Sequence, residues 1–405
     1  TSTTTPSKKK VINPYFSAKK TTHSPKEGSS TTFAKGLRNL GNTCYLNSSL
    51  QMIFSLSSFW KGLHSLRQLT TLELPLLDAA LDICTSLSIL SLPPQSTKKS
   101  SHTVDPLVMK QQMDKLTDKF RGYEQRDAHE FLSDFLDLLQ EELQHAGEKE
   151  EACGKMVQWV EDYFTLNVRV CFTCDECGYA RNKEELYRHL SLDIDEEEEE
   201  NLKEEEGGVA SQSVQRAVKR FFEAEKIELK CEKCNIGCSA TQTMDVISRP
   251  KALLLHLKRF IVTQPSRMNA SSSKNEDSKS NVDINSNGLV FRKNKARVTL
   301  DKTVFVQEND KNEENNTRSK ELKYSIRSVV HHIGSTAFSG HYTTDGIRTK
   351  HSQGESSLSS SQAAIQEWIA FDDGVTTALS EKDALKSANS QNNAYMVLYE
   401  LENQN

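Results

Sequence analysis

Apolar positions along this chain change period once, near residue 164, and the change divides it into a helical first part and a strand-rich second part. From Cys44 to about Ser58, apolar residues recur at Leu46, Leu50, Ile53, Phe54 and Leu56, a helical spacing. A mostly helical region continues to about Leu90, and Pro93 to Asp105 reads as a polar loop. The strongest helical pattern is Asp127 to Leu143: Ala128, Phe131, Leu132, Phe135, Leu136, Leu138 and Leu139 fall on one face, acids cover the other, and Asp127 stands where an N-cap belongs. After Phe164 the period shifts toward two and β-branched residues increase, in Phe164–Phe172 and Tyr187–Ile194. Ser213 to Lys226 reads as a short amphipathic helix, and Leu253-Leu254-Leu255-His256-Leu257 as a buried strand. Further strands are expected at Phe291–Leu300, Leu322–His332, His341–Asp345, Glu367–Asp372 and Ala394–Leu401. Helices first and strands later predict an α+β fold with a cleft between segregated halves.

Composition adds the interruptions. Residues 1–33 are rich in Ser, Thr and Lys and read as a disordered basic tail. Polar or acidic insertions are expected near 195–208, 267–287 and 348–362. With 405 residues, 36% of them hydrophobic, the chain is long enough for a large core, and a net charge of −5 gives no general nucleic-acid footprint. No apolar run reaches transmembrane length, so no membrane partner is expected. Because the first residue is Thr1, the sequence reads as processed, trimmed or a fragment. Nine cysteines, an odd number, fit a reducing compartment, nucleus and/or cytoplasm, better than a disulfide scaffold. Within the tail, Ile12 followed by Tyr15 and Phe16 with basic flanks resembles a degenerate sliding-clamp-binding peptide, against the plainer reading of chance aromatics in a tail.

The chemistry gathers around Gly36 to Asn47. This Gly-containing polar turn delivers Cys44 onto the start of an apolar helix, where free N–H groups and the positive end of the dipole favour a thiolate. Asn39 is placed to donate to a developing oxyanion. A thiolate nucleophile needs an imidazole, and that imidazole an orienting group. Among 11 histidines, His341 stands out, following a flexible loop that ends in Gly340 and opening a strand with Tyr342. Asp372 and Asp373 end a later strand and are the candidates to orient it, although an Asp-Asp turn taken alone is more often structural.

Cys174-Asp175-Glu176-Cys177 and Cys231-Glu232-Lys233-Cys234 are two C-x-x-C knuckles beside strand-like sequence. Together they suit one tetrahedral zinc held by four thiolates, a closed structural site with no open position for chemistry. Cys171 and Cys238 lie close enough in sequence to compete as ligands.

Taken together, these segments resemble the ubiquitin-specific proteases, the papain-like deubiquitinating cysteine peptidases. Gly36 to Asn47 resembles the family's cysteine box, and Gly122 to Leu132 its glutamine/aspartate box. His256 to Phe260 resembles the strand after the knuckles, Val329 to Tyr342 the histidine box, and Trp368 to Asp373 with Ala394 to Tyr399 the closing strands. The knuckles and the histidine box are worded much like those of the vertebrate ubiquitin carboxyl-terminal hydrolase 37 group. The resemblance implies a catalytic domain over 34–402, with a helical thumb at 36–160, zinc-bearing β fingers at 161–250 and a β palm at 251–402.

It also implies Cys44 as nucleophile, His341 as base and then acid, Asp372 or Asp373 as the orienting carboxylate, and Asn39 as oxyanion donor. Gln125, Asp127, His332, Gly340 and Tyr342 would line the channel for the extended C-terminal tail of ubiquitin, and 333–340 would form a loop that blocks it. One departure is Arg126, where Gln-Gln-Asp is common in the second box. The resemblance implies isopeptide hydrolysis after ubiquitin's terminal glycine. The alternatives are a catalytically silent ubiquitin-binding module and a peptidase for another ubiquitin-like modifier.

Overall fold

The computed structural model describes residues 33–89, 103–195, 212–263, 283–284, 290–311, 317–336, 339–350 and 365–402. The tail with Ile12, Tyr15 and Phe16 lies outside them, as do most of the three expected insertions.

Helices dominate the first part. A two-residue strand β1 (Gly36–Leu37) pairs in parallel with β2 (Thr103–Val104). Around them pack α1 (Cys44–Ile53), α2 (Ser57–Arg67), α3 (Pro75–Ser86), α4 (Leu107–Leu116), α5 (Ala128–Gly147) and α6 (Glu151–Phe164). Helix α5 is the amphipathic segment expected from its period, and Asp127 caps it by accepting from the Glu130 N–H at 2.9 Å. All ten residues of α1 are buried, which sets it apart from an amphipathic surface helix. Helix α6 runs four residues past the expected thumb boundary at 160 before the chain turns to strand.

Strands follow: β3 (Leu166–Cys174), β4 (Ala180–Tyr187) and β5 (Leu190–Leu192), then α7 (Val214–Phe221), then β6 (Glu225–Glu228), β7 (Ser239–Ser248), β8 (Ala252–Leu257), β9 (Phe260–Thr263), β10 (Asp283–Ile284) and β11 (Val290–Lys293). The expected helix over Ser213–Lys226 is therefore shorter, and its end is strand β6. The expected strand Phe291–Leu300 is short as well. β11 stops at Lys293, because the following residues turn inward to meet Arg259, whose guanidinium donates to the Asn294 and Ala296 carbonyls.

The remaining elements are β12 (Thr303–Lys311), β13 (Thr317–Ile333), β14 (His341–Lys350), β15 (Ile365–Asp372), β16 (Val375–Leu379), α8 (Glu381–Lys386), α9 (Ala388–Asn393) and β17 (Ala394–Leu401). Strand β14 continues to Lys350, so the insertion expected from Arg348 begins later. Arg348 itself is buried and belongs to the sheet.

One sheet carries most of these strands, in the order β16-β15-β14-β13-β12-β7-β3-β4, and the 17-residue β13 is its hub. Its first half pairs with β12, and its second half pairs with β14 on one side and β17 on the other. The strands on either side of this point thus share a continuous sheet, joined where β12 meets β7 at Glu308 and Val246. Two cores result. One fills the space among α1–α6 and reaches Val330, Tyr342, Tyr395 and Met396 of the sheet. The other lies under α7 and α8, against β3, β8, β12, β13 and β17.

Among the described residues, no helix is long and apolar enough to cross a membrane.

Candidate active site and four-cysteine cluster

Cys44 is the first residue of α1, and only 4% of its surface is exposed. The turn that delivers it is left-handed at Gly41 and Asn42, with φ of 114° and 55°. Asn39 organises that turn: its Oδ1 accepts from the Gly41 N–H at 2.8 Å and from the Thr43 N–H at 3.2 Å. The helix N-terminus has no side-chain cap at Thr43, whose hydroxyl instead accepts from the Leu40 N–H at 2.9 Å, so it does not take the first N–H groups of the helix.

His341 opens β14, and its Nε2 lies 2.6 Å from Asp372 Oδ1 at the end of β15. The two strands are antiparallel neighbours, which is how residues 31 apart meet. The Asp372 hydrogen bond, and after it one from Cys44, push the His341 pKa up to about 10. The same bond holds the Asp372 carboxyl below its ordinary range. With Nε2 committed to Asp372, exchange with the Cys44 sulfur falls to Nδ1. A thiol, an imidazole and a carboxylate thus stand in series, and this arrangement can form a thiolate–imidazolium pair.

Asp373 does something different from its neighbour. Its Oδ2 accepts from Asn39 Nδ2 at 2.8 Å, its Oδ1 from Asn47 Nδ2 at 2.7 Å, and its backbone carbonyl from the Leu37 N–H at 2.8 Å. Asp372 faces the imidazole, while Asp373 ties the cysteine turn and α1 to the end of β15. The amide N–H of Asn39, expected at the oxyanion, is held by this carboxylate here. Asn47 was not among the expected site residues. Its sequence signal is weak, because it is one of several polar residues in α1, with Ser48, Ser49 and Gln51.

The expected tail-channel residues also converge. Gln125 Oε1 accepts from the Gly340 N–H at 3.1 Å, bridging the box before α5 to the loop before His341. Asp127 Oδ2 accepts from the hydroxyls of Tyr342 (3.2 Å) and Tyr395, while its other oxygen caps α5. Tyr395 is a further residue that sequence reasoning did not single out. His332 packs against Tyr342 and Phe260, with ring centroids at 4.9 and 5.1 Å. Burial, then Lys293 and His341, lower its pKa to about 3, so it is neutral. A Cβ on Gly340 would lie 2.2 Å from His332 Nε2, so glycine is required there by the ring behind it. The ammonium of Lys293 fixes the base of the same loop, donating to the His332 and Gly334 carbonyls and to Asn393 Oδ1. Arg126 pairs with Glu124 at 2.7 Å.

At the far end of the sheet, the sulfurs of Cys174, Cys177, Cys231 and Cys234 all lie within 4.8 Å of one another. Cys174 and Cys234 are 4.0 Å apart and Cys177 and Cys231 3.7 Å. A tetrahedral Zn–S shell of about 2.3 Å demands about 3.8 Å between sulfurs, so the donor set fits a metal ion. Gly237 donates its N–H to Cys234 Sγ at 3.3 Å, and a Cβ there would stand 2.6 Å from Cys174 Sγ. Backbone donors at Gly237 and Ile236 lower the Cys234 pKa to about 6, favouring the thiolate a metal needs. Cys171 and Cys238 are not in the cluster: their sulfurs face Thr173 and the Ile236 carbonyl.

The fold and the thiol–imidazole–carboxylate series, its thiol buried and its carboxylate exposed, define a papain-like cysteine hydrolase architecture. Residues 35–399 match the sequence profile described as ubiquitin carboxyl-terminal hydrolase, and the chain belongs to that family. Among similar curated proteins, ubiquitin carboxyl-terminal hydrolase 37 of Gallus gallus is 31% identical over 246 residues, and that of Homo sapiens 31% over 251. Each alignment covers 56% of this chain and 23% of the relative. Ubiquitin carboxyl-terminal hydrolase 23 of Arabidopsis thaliana is 26% identical over 385 residues, 93% of this chain and 37% of that protein. The chain thus spans well under half the length of these relatives. A solved structure titled as the SAGA Ubp8/Sgf11/Sus1/Sgf73 DUB module bound to ubiquitin aldehyde shares the fold. Its TM-score is 0.64 at 19% identity, over 92% of this chain and 70% of that one.

Proposed function

We propose that this chain is a thiol-dependent deubiquitinase that hydrolyses the isopeptide bond after the C-terminal glycine of ubiquitin. The observation that carries the reading is His341 held between Asp372 and Cys44, three residues brought together from across the chain. The Cys44 thiolate attacks the glycine carbonyl, forming a C–S bond and a tetrahedral oxyanion. The imidazolium of His341 gives its proton to the departing lysine amine as the C–N bond breaks, leaving a thioester. His341 then takes a proton from water, whose oxygen attacks the thioester, and the proton returns to the sulfur as free ubiquitin leaves.

Asp372 keeps the imidazole oriented and stabilises its charge. The N–H groups at the start of α1, and Asn39 once its amide turns from Asp373, serve the oxyanion. One such donor is worth about 3 kcal/mol. Gln125, Asp127, His332, Gly340 and Tyr342 line the approach. With both its oxygens engaged inside the protein, Asp127 shapes the channel wall through Tyr342 and Tyr395, and its negative charge suits the arginine of the ubiquitin tail. The four-cysteine cluster is read as a structural zinc site, with Cys174, Cys177, Cys231 and Cys234 as ligands and no part in the chemistry.

Ubiquitin carrying a C-terminal electrophile tests the reading. The wild-type protein should form a covalent adduct, and Cys44→Ser should form none. A wild-type protein that binds ubiquitin without reacting would replace the enzyme by a silent binding module, and a panel of modifier probes separates ubiquitin from its relatives. Recruitment to a sliding clamp through Ile12, Tyr15 and Phe16 is a separate proposal, which fails if a tail peptide does not bind the clamp.

A further inference from the structure

Arg348 carries a charge that nothing in the chemistry above uses. It is 8% exposed, and no carboxylate pairs with it among the described residues. Burial lowers its pKa to about 9, so it stays charged at neutral pH. A buried guanidinium is costly unless its donors are satisfied and its charge is offset. Arg348 Nη2 donates to the Gln51 backbone carbonyl at 2.9 Å and to Gln51 Oε1 at 2.6 Å, and Nη1 to the Ile347 carbonyl at 3.1 Å. The guanidinium carbon sits 4.6 Å from the centroid of the Phe371 ring, on β15.

Gln51 lies in the last turn of α1, at the negative end of the dipole, where the Leu50, Met52 and Ile53 carbonyls accept from the Phe54, Ser55 and Leu56 N–H groups and the Gln51 carbonyl accepts from Arg348. The helix C-terminus is therefore the counter-charge. Cys44 stands at the opposite end of the same helix, where an anion is favoured. Two further donors from the sheet meet α1 along its length: Thr344 Oγ1 to the Ser48 carbonyl at 2.8 Å, and Ser328 Oγ to the Met52 carbonyl at 3.2 Å. Thr344 and Arg348 lie on β14, the strand that begins with His341. Nucleophile and base are thus borne on two elements that run side by side, and Arg348 makes the charged contact between them.

We propose that Arg348 is a positioning residue for the Cys44–His341 pair, capping the C-terminus of α1 from β14 and so fixing the nucleophile's helix against the strand of its base. This rests on the reading of Cys44 and His341 as the reacting pair. Without Arg348, the carbonyl and side chain of Gln51 lose their charged donor and the helix can shift on the strand, which weakens contact at its other end. The Cys44 thiolate then loses part of the stabilisation given by the imidazolium.

The test is the pH dependence of Cys44 alkylation by iodoacetamide, with the modified site located by mass spectrometry, in the wild-type chain, R348M and R348K. Wild type should alkylate rapidly at neutral pH, as a thiolate paired with an imidazolium does. R348M should move the midpoint up by about one pH unit, about a tenfold loss of reactivity on the acidic limb, and R348K should recover part of the shift. A purely structural role would lower the fraction of folded, titratable Cys44 without moving the midpoint. If R348M does not fold, R348K decides by the same midpoint. Midpoints unchanged in the folded variants overturn the proposal. A wild-type Cys44 that alkylates like an ordinary thiol overturns instead the reading of the pair on which it rests.

Discussion

The chain gathers sulfur in two places by opposite means. At the far end of the sheet, four cysteines meet because two short knuckles each bring a pair, and only the docking of one hairpin beside another remains to be achieved. Where the helices meet the sheet, one cysteine meets partners about three hundred residues away, and its helix is held by side chains from β13, β14 and the turn after β15. The knuckles are polar and largely exposed, with Ile236 80% exposed beside them, whereas α1 has no exposed residue. A cluster closed by a metal tolerates a thin local core, since ligation itself supplies folding free energy. A nucleophile that must keep its distance to a base has no such clamp and depends on the packing of a whole interface.

This contrast is sharpened most by Asp372→Asn, which should lower kcat by about 10²–10⁴-fold, the range of a positioned acid–base group, while the four-cysteine cluster is unaffected. Its pH signature follows from the His341 shift. A raised imidazole pKa means that the ion pair's contribution is complete below about 6.5 and is lost as pH rises through about 10. Asp372→Asn should therefore pull the alkaline limb of the activity profile downward, and a limb that stays in place would detach Asp372 from His341.

A smaller effect is expected of Asp373→Ala. Asn39 and Asn47 lose a charged acceptor, each such bond being worth about 1.5–3 kcal/mol at most. Activity should fall about tenfold to a hundredfold, with the alkaline limb unmoved, because Asp373 does not bond the imidazole. A shifted limb would erase the division of labour between the two aspartates.

Smallest at the active site is removal of the metal by a chelator, or Cys234→Ser. Hydrogen exchange should rise in β6 and β7 and the knuckles, while alkylation of Cys44 changes by less than about threefold. A large loss of Cys44 reactivity would show that the two regions are coupled through the continuous sheet.

Much of the site was legible in the sequence because its signals are local. Cys44 stands at a turn-to-helix boundary, Asp127 at an N-cap and each cysteine pair at knuckle spacing, and the structure keeps all three where the pattern puts them. The elements read less well are those whose character depends on neighbours. β7, β12 and β16 carry many polar residues on exposed faces, and they become strands only by pairing with β3, β13 and β15. Arg348 shows the same limit most clearly: in sequence it opens a polar stretch, and in the fold it is interior.

What the sequence determined by itself, then, is the chemistry on offer. It supplies a thiol at a helix start, an imidazole after a glycine loop, two adjacent carboxylates and two cysteine knuckles, each defined within a few residues by spacing and turn chemistry. The tertiary structure alone decided the assignments: which aspartate faces His341, which holds Asn39 and Asn47, and which buried cation caps the nucleophile's helix. Those choices turn on directions and distances of a few ångströms between segments far apart in the chain, and hydrogen bonds and desolvated charges are sensitive to that geometry in a way that sequence periodicity does not encode.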